Sequence, residues 1–412
     1  AEIYSRSEST ERPTAIRKSV EARYETAYLA HQTMEPMNCT IRLLDDRCEV
    51  WTGTQAPGLI RRAVADVIGV GTDKVLVHPL LMGCGLGRRL EVDVARQAAS
   101  IAMRLPRGVP IQLIWRRDED TRRDMYRPAA TARMVAGLGG RGELVQLACT
   151  LASPSVLASY SKRVLGWRLP LRLDRGLHDG ISDCVYDIEQ LGIRHTAVEA
   201  ALPVGFWRSV GYGAHAFFLE SFVDECAVAA GDDPLQYRRR LLQRQPRHLR
   251  VLEEVGRISG WGRPVQSRRG SRGGRGVALV SCFGSVIAMV IEAEVDSNEI
   301  RVTRALAVVD CGFGLDRSGI RAQIAGSIVM GLSAALHGQI EMKESRVLQS
   351  NFHDAKLFTL RDTPRIQVEL IDGGFRPGGV GEIGLPPVAP ALANAIFSAT
   401  GKRIRRLPLK IS

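Results

Sequence analysis

The eight cysteines, at positions 39, 48, 84, 149, 184, 226, 282 and 311, are spread singly, and no Cys-x-x-Cys pair occurs. That absence argues against a zinc or iron-sulfur site carried by this chain. A disulfide framework is equally unneeded in 412 residues, so most of the cysteines read as small buried hydrophobes. No uncharged run reads as a membrane span. Ile383 to Gly401 approaches spanning length but carries Pro386, Pro387, Pro390 and Asn394, and Gly276 to Ile291 is too short. No signal peptide is visible at Ala1, and without an initiator Met one could have been removed or lie upstream; a cytoplasmic location is expected, with the periplasm as the alternative if an upstream or partner signal exists. Disorder is excluded by composition, since 45% hydrophobic and 24% charged residues are ordinary for a globular chain.

A net charge of +12 raises the question of nucleic acid, but the charge is local. Twelve arginines between Arg238 and Arg275 face only Glu253 and Glu254. The tail of this segment, Arg268-Arg269-Gly270-Ser271-Arg272-Gly273-Gly274-Arg275, resembles an RNA-binding Arg/Gly tract without the interleaved aromatics that stack on bases. It is read as a solvated loop, with no nucleic-acid partner expected.

What the sequence does contain is a single carboxylate set among glycines, in Pro377-Gly378-Gly379-Val380-Gly381-Glu382-Ile383-Gly384-Leu385-Pro386. Glycines flanking one ionisable group permit close backbone approach to a ligand, so Glu382 is the first candidate for a catalytic base. The string also matches the dinucleotide fingerprint, but that motif needs a further strand and an acid about twenty residues on. No Asp or Glu follows Glu382. Pro387, Pro390, Leu392 and Ile396, with Thr400-Gly401 as a stop, predict a helix beginning soon after the carboxylate, whose dipole favours a nearby anion.

Residues 1–22 are polar with little periodicity and read as a linker or arm. Glu49-Val50-Trp51 predicts a strand, Leu59 to Ile68 a helix stopped by Gly69, and Lys74 to Leu81 a strand running into Gly83-Cys84-Gly85-Leu86-Gly87 and a helix from Val92 to Leu105. Strand, glycine loop and helix can offer backbone N–H groups to an anion; a plain tight turn is the competing reading. Pro110 to Trp115 predicts a strand, residues 130–200 mixed strand and loop, Phe218 to Ala229 a helix, and Asp233-Pro234 a helix start. Ala278 to Val295, Ile300 to Val309 and Ile366 to Ile371 read as strands, and Ile320 to Leu336 as a helix. This mixture indicates an α+β fold of mixed sheets with packed helices, with a boundary near residue 245.

These segments resemble the large, molybdenum-binding subunit of the xanthine oxidase family, most closely its isoquinoline 1-oxidoreductase and aldehyde dehydrogenase branch. The stretches that carry the resemblance are His31 to Asn38, Glu49 to Pro57, Gly83 to Asp93, Trp115 to Pro128, Gly205 to Ala230, Val308 to Gly331, Ser350 to Asp354 and Pro377 to Pro408. The resemblance implies two molybdopterin-binding domains, over 23–245 and 246–412. It implies a molybdenum-pterin cofactor, with a cytosine dinucleotide form among the options, whose metal is held by pterin sulfurs and by no protein side chain. Glu382 then looks like the general base and Gln55 like the glutamine that hydrogen-bonds at molybdenum. Gly83, Cys84, Gly85, Leu86 and Gly87 look like the loop under the cofactor, Gln323 like a pterin-holding glutamine, and Phe206, Trp207, Arg208, Gly379, Val380 and Gly381 like further cofactor contacts. Ser209, Val210, Tyr126 and Arg127 are expected to wall the substrate pocket. The implied activity is hydroxylation of an N-heterocyclic aromatic or an aldehyde with water as oxygen source. Electrons would leave to a small [2Fe-2S] subunit, since iron-sulfur clusters are expected only on a partner.

Several positions depart from the family pattern. Cys84 and Leu86 stand where the branch has Gly and Phe, Asp316-Arg317 replaces Asn-Pro, Ala325 replaces Glu, and Ser209 replaces the copper-binding Cys of carbon monoxide dehydrogenases. Family members also carry an upstream Gly-Gln-Gly segment with no counterpart here, so a separate chain is expected to supply it. The alternative is a cofactor-free remnant or a scaffolding subunit.

Overall fold

The computed structural model describes residues 2–7, 14–297, 299–374 and 376–411. The first sheet contains β1 (Glu2–Ser7), β2 (Lys18–Thr26), β7 (Ala130–Leu138), β8 (Leu144–Ser153) and β9 (Gln190–Ala197), in the order β1-β9-β8-β7-β2. All its pairs are antiparallel except β8 with β9. A parallel pair needs a crossover, and α4 (Val156–Leu165) lies on it, opened by the Ser155 hydroxyl accepting from the Ala158 N–H and closed by Gly166 in the left-handed region.

The second sheet holds β3 (Asn38–Leu43), β4 (Cys48–Thr52), β5 (Val75–Pro79) and β6 (Pro110–Ile114), ordered β5-β4-β3-β6. Cys39, Ile41 and Leu43 alternate inward along β3 and share a core with α1 (Pro57–Ile68) and α2 (Asp93–Ala102).

The third sheet pairs β10 (Arg272–Cys282), β11 (Ser285–Val295), β12 (Ile300–Asp310) and β15 (Arg365–Ile371) in that order, the last pair parallel. Its crossover contains α8 (Arg317–Leu336) and a short hairpin of β13 (Met342–Lys343) and β14 (Arg346–Val347). Val277 to Val280 and Val286 to Ile291 are buried without alternation, because α7 (Pro246–Ser259) and α9 (Val388–Thr400) both pack on these strands. Gly276 lets α9 lie flush on β10, where a Cβ would come within 2.3 Å of the Ala391 carbonyl oxygen and the Ala395 nitrogen.

The helix α5 (Tyr212–Ala229) is buried all round from Tyr212 to Ala227 and touches β2, β7, β10 and α9, as expected of an internal helix. Its acids Glu220, Asp224 and Glu225 meet Arg238 of α6 (Pro234–Leu241) and Arg403 and Arg405 of the C-terminal segment. The first and third sheets therefore share one core across the boundary placed at 245, and the chain end returns to β2 through Leu407 N–H donating to the Glu25 carbonyl. Among the described helices, α8 is long and apolar enough to cross a membrane, but it packs on α9 and β15 with Ile320, Ile324, Ile328 and Leu332 inside.

In the segment 1–22, read as a linker or arm, the described residues include β1, paired with β9, and the start of β2 at Lys18. The Arg/Gly tail is a turn followed by the start of β10, with Arg268 on Glu294 and Arg275 on Glu292; the upstream Arg238 is fully buried on Glu220. The charged stretch after β6 forms α3 (Arg117–Arg122), a helix that its lack of apolar periodicity concealed.

Candidate functional site

The Glu382 loop crosses the ends of the third sheet. Gly378 N–H donates to the Cys311 carbonyl and Gly379 N–H to that of Phe283, on the β10–β11 turn. The glycines mostly serve protein packing: a Cβ on Gly378 would strike the Gly284 backbone at 2.7 Å, and one on Gly384 would press on Ser327 at 2.8 Å. Only around Gly381 is there open space, with nothing within 4 Å of a built Cβ. Glu382 itself is half-buried. Burial raises its carboxyl above the usual 4.5, opposed by the Ser209 backbone N–H and the Arg208 guanidinium.

The loop leading into α5 reaches this carboxylate. Arg208 Nε donates to the Gly381 carbonyl at 2.8 Å, and its Nη2 donates to Gln323 Oε1 on α8 at 3.0 Å. Ser209 Oγ donates to the Glu382 carbonyl at 2.8 Å. Ser209 and Val210 hold φ of 79° and 49°, rare for any side chain and most of all for β-branched Val210; such strain collects at functional sites. Trp207 is anchored by its indole N–H on the Ala30 carbonyl at 3.2 Å, and the Phe206 ring packs edge-on against Tyr160.

The glycine loop is tied from below. Gly83 N–H donates to Glu35 Oε2 at 2.7 Å, and Gly87 N–H to Gln55 Oε1 at 3.1 Å while Gln55 stays exposed. Cys84, Leu86 and Gly87 are all left-handed, at φ of 78°, 57° and 101°. Buried Arg89 crosses beneath the loop to the Cys84, Gly53 and Glu35 carbonyls.

A cavity of about 310 Å³ opens where Cys84, Leu86, Trp207 and Arg208 meet Met330 of α8 and Phe358. Glu382 is not on its wall, but Arg208 is, and links it to Gly381. The sequence reading missed this wall: Met330 and Phe358 carry only an apolar signal, although His31, also on the wall, lies in a stretch singled out for its resemblance. Tyr126 and Arg127 do not wall the cavity. Tyr126 is buried and donates its hydroxyl to the Thr121 carbonyl, while Arg127 is buried with its guanidinium 5.6 Å from the Trp207 ring. Their backbone is tied by isolated bridges, Arg127 to Leu29 and Tyr126 to Val204.

Among the described residues no three His, Cys, Asp or Glu side chains converge as a metal-binding group. The donor set is instead exposed carboxamides, an open glycine backbone, one guanidinium and one carboxylate. That set fits an organic group bringing its own metal ligands.

A family model described as a molybdopterin cofactor-binding domain matches residues 10–242, and a second with the same description matches residues 265–364. The chain is 30% identical over 407 residues to the beta subunit of isoquinoline 1-oxidoreductase from Brevundimonas diminuta, covering 97% of this chain and 51% of that protein. It is 28% identical over 409 residues to a nicotinate dehydrogenase subunit of Pseudomonas putida, covering 94% and 34% respectively. The chain thus spans about half, or less, of the length of these relatives. Quinoline 2-oxidoreductase from Pseudomonas putida 86 superposes with a TM-score of 0.83 at 13% identity, over 99% of this chain and 77% of that one. Aldehyde oxidoreductase from Desulfovibrio gigas gives 0.77 at 15% identity, over 98% and 62%. With more than half of its length matched by the first domain alone, the chain belongs to the molybdopterin cofactor-binding domains of the xanthine oxidase family.

Proposed function

We propose that this chain forms the catalytic half-site of a molybdenum-pterin hydroxylase acting on an N-heterocyclic aromatic or an aldehyde. A small [2Fe-2S] subunit receives the electrons, and a separate polypeptide completes the pterin pocket. The observation that carries the reading is the Arg208 bridge from Gln323 to Gly381, which brings three distant segments together beside one carboxylate raised by burial. When bound, the cofactor supplies two-electron redox chemistry. Glu382 accepts a proton from the attacking oxygen, and burial raises its basicity for that transfer. Arg208 and Ser209 hold the loop that presents the carboxylate, while Gln55 and Gln323 orient the organic group by their carboxamides.

The cofactor-free alternative draws on Cys84, whose side chain occupies a left-handed position in the loop where close backbone approach is required. Metal analysis of the purified native complex, followed by substrate-dependent dye reduction with a heteroaromatic and an aldehyde, separates the two. Stoichiometric molybdenum and turnover that is lost in Glu382→Gln with molybdenum retained support the enzyme. A native complex without molybdenum leaves the scaffold.

A further inference from the structure

His31 reaches the cavity wall with its side chain only 1% exposed, and both of its ring nitrogens face acceptors. Nδ1 is 2.8 Å from Asp124 Oδ1, and Nε2 is 2.7 Å from the Phe206 carbonyl oxygen. The second Asp124 oxygen accepts the His31 backbone N–H. A neutral imidazole has one N–H, so beside an ionised Asp124 one of these contacts would set lone pair against lone pair, whereas a ring protonated on both nitrogens satisfies both.

The surrounding charges fit that state. Burial raises the Asp124 carboxyl, but His31 and Arg88 outweigh it and hold the group below the usual range. Arg88 Nε lies 3.2 Å from Asp124 and the same guanidinium also pairs with Asp93, while Asp120 beside them is pushed up to about 6 by burial and by Asp124. On its other side His31 meets the neutral Phe206 carbonyl, and the cavity it lines also carries the charged Arg208 and Lys356.

The Phe206 carbonyl is fixed from its other side by Gly87, where a Cβ would come within 1.8 Å of the oxygen. Two residues further on, Arg208 and Ser209 bond the Gly381 and Glu382 carbonyls. We infer that His31 is held as an imidazolium between Asp124 and the Phe206 carbonyl and, through that carbonyl, positions Arg208 and Ser209 on the Glu382 loop. Its role in this inference is that of a positioning residue, exerted through the Phe206 carbonyl. The significance of the loop rests on the hydroxylase reading; the protonation state and the clamp do not.

The test uses the full chain at pH 7 with histidine-selective ¹⁵N labelling, the His31 signals being those lost in His31→Gln. Both ring nitrogens should resonate in the protonated range. One unprotonated nitrogen overturns the inference. Hydrogen exchange then reads the clamp: in His31→Leu the amides of Trp207 to Gly211 should exchange roughly ten- to a hundred-fold faster, the loss of one charge-assisted hydrogen bond, while β10 and β11 exchange as before. Unchanged loop exchange overturns it as well. If the Leu variant fails to fold, His31→Gln gives the same exchange comparison, and the ring measurement on the unsubstituted chain decides alone. Neither readout involves molybdenum or turnover, so failure of the hydroxylase reading leaves both interpretable.

Discussion

Arg208 donates through Nε to the carbonyl oxygen of Gly381 at 2.8 Å, so a guanidinium on the loop before α5 holds the backbone one residue ahead of Glu382. The same group reaches Gln323 Oε1 at 3.0 Å. A planar fork can satisfy both acceptors at once, and a lysine ammonium on a flexible stem cannot do so with the same geometry. Arg208→Lys in the assembled complex is expected to lower turnover by roughly ten- to a hundred-fold, the cost of one charged hydrogen bond. Steady-state rates normalised to molybdenum content check this, and a wild-type rate would remove Arg208 from the site.

Glu382 links the site to stability. Burial raises its carboxyl above 4.5, so the folded chain binds this proton more tightly than the unfolded chain. The resulting stabilisation is fully present below the unfolded value and is lost as pH rises through the folded one. Glu382→Gln cannot ionise, so its Tm relative to wild type should become more favourable as pH rises above 4.5 and through the raised folded-state value. A difference that stays flat, or that falls with pH, contradicts the direction of the shift. In the active complex the same shift places the acidic limb of the rate profile above that of an ordinary glutamate.

Much of this fold was legible where local chemistry and tertiary context agree. The helix stopped by Gly69, the cap at Asp233 and the helix after Glu382 all stand as read, because capping and glycine stops act over a few residues. Glu382 and the glycine loop at 83–87 were singled out by local chemistry, whereas the residues around them were named only through resemblance. Nothing local in Gln323 or Arg208 says that they meet, since they lie 115 residues apart. The strand β1 in the polar segment was not legible because it draws its backbone bonds from β9, a partner far along the chain. The surroundings of Tyr126 and Arg127 were not legible for the same reason, since their backbone bridges Val204 and Leu29. The buried acids of α5 were read as nothing at all, because their arginine partners come from α6 and from the chain end.

That buried set supplies a stability test. Arg238 is fully buried, with Nε 2.9 Å from Glu220 Oε2, and Glu220 also accepts from the Tyr186 hydroxyl and the Leu279 N–H. Removing one partner leaves a buried charge uncompensated, which costs about 3–5 kcal/mol. Arg238→Met should therefore lower the denaturant midpoint far more than Arg239→Met, whose pair with Glu253 is largely exposed and is worth about 0–1 kcal/mol. Equal midpoints for the two variants would contradict the assignment.

Gly87 and Gly381 are both glycines of the site, but only one is constrained. Gly87 has φ of 101° and its built Cβ lies 1.8 Å from the Phe206 carbonyl oxygen, whereas nothing lies within 4 Å of a Cβ at Gly381. Gly87→Ala must push the 206–211 segment away or twist its own backbone, each costing on the order of 1–3 kcal/mol. Gly381→Ala is expected to leave the thermal midpoint of the apo chain within the scatter of ordinary surface changes. If cofactor does approach this open backbone, the Gly381 variant should bind less molybdenum all the same.

Cys84 offers the opposite test, a substitution expected to improve the chain. Its side chain is exposed at φ of 78°, a region that costs a residue with a Cβ roughly 1–2 kcal/mol. Glycine removes that strain but loses more backbone freedom on folding, by roughly 0.5–1 kcal/mol. Cys84→Gly should therefore stabilise by up to about 1 kcal/mol, read as a higher denaturant midpoint at constant slope. Cys84→Ala keeps the Cβ and the strain while removing the thiol, so it should stay near wild type. If Ala stabilises as much as Gly, the thiol and not the backbone was the burden. If Gly raises the midpoint alone and the complex also takes up more molybdenum, the side chain at position 84 limits how closely the loop approaches its cofactor.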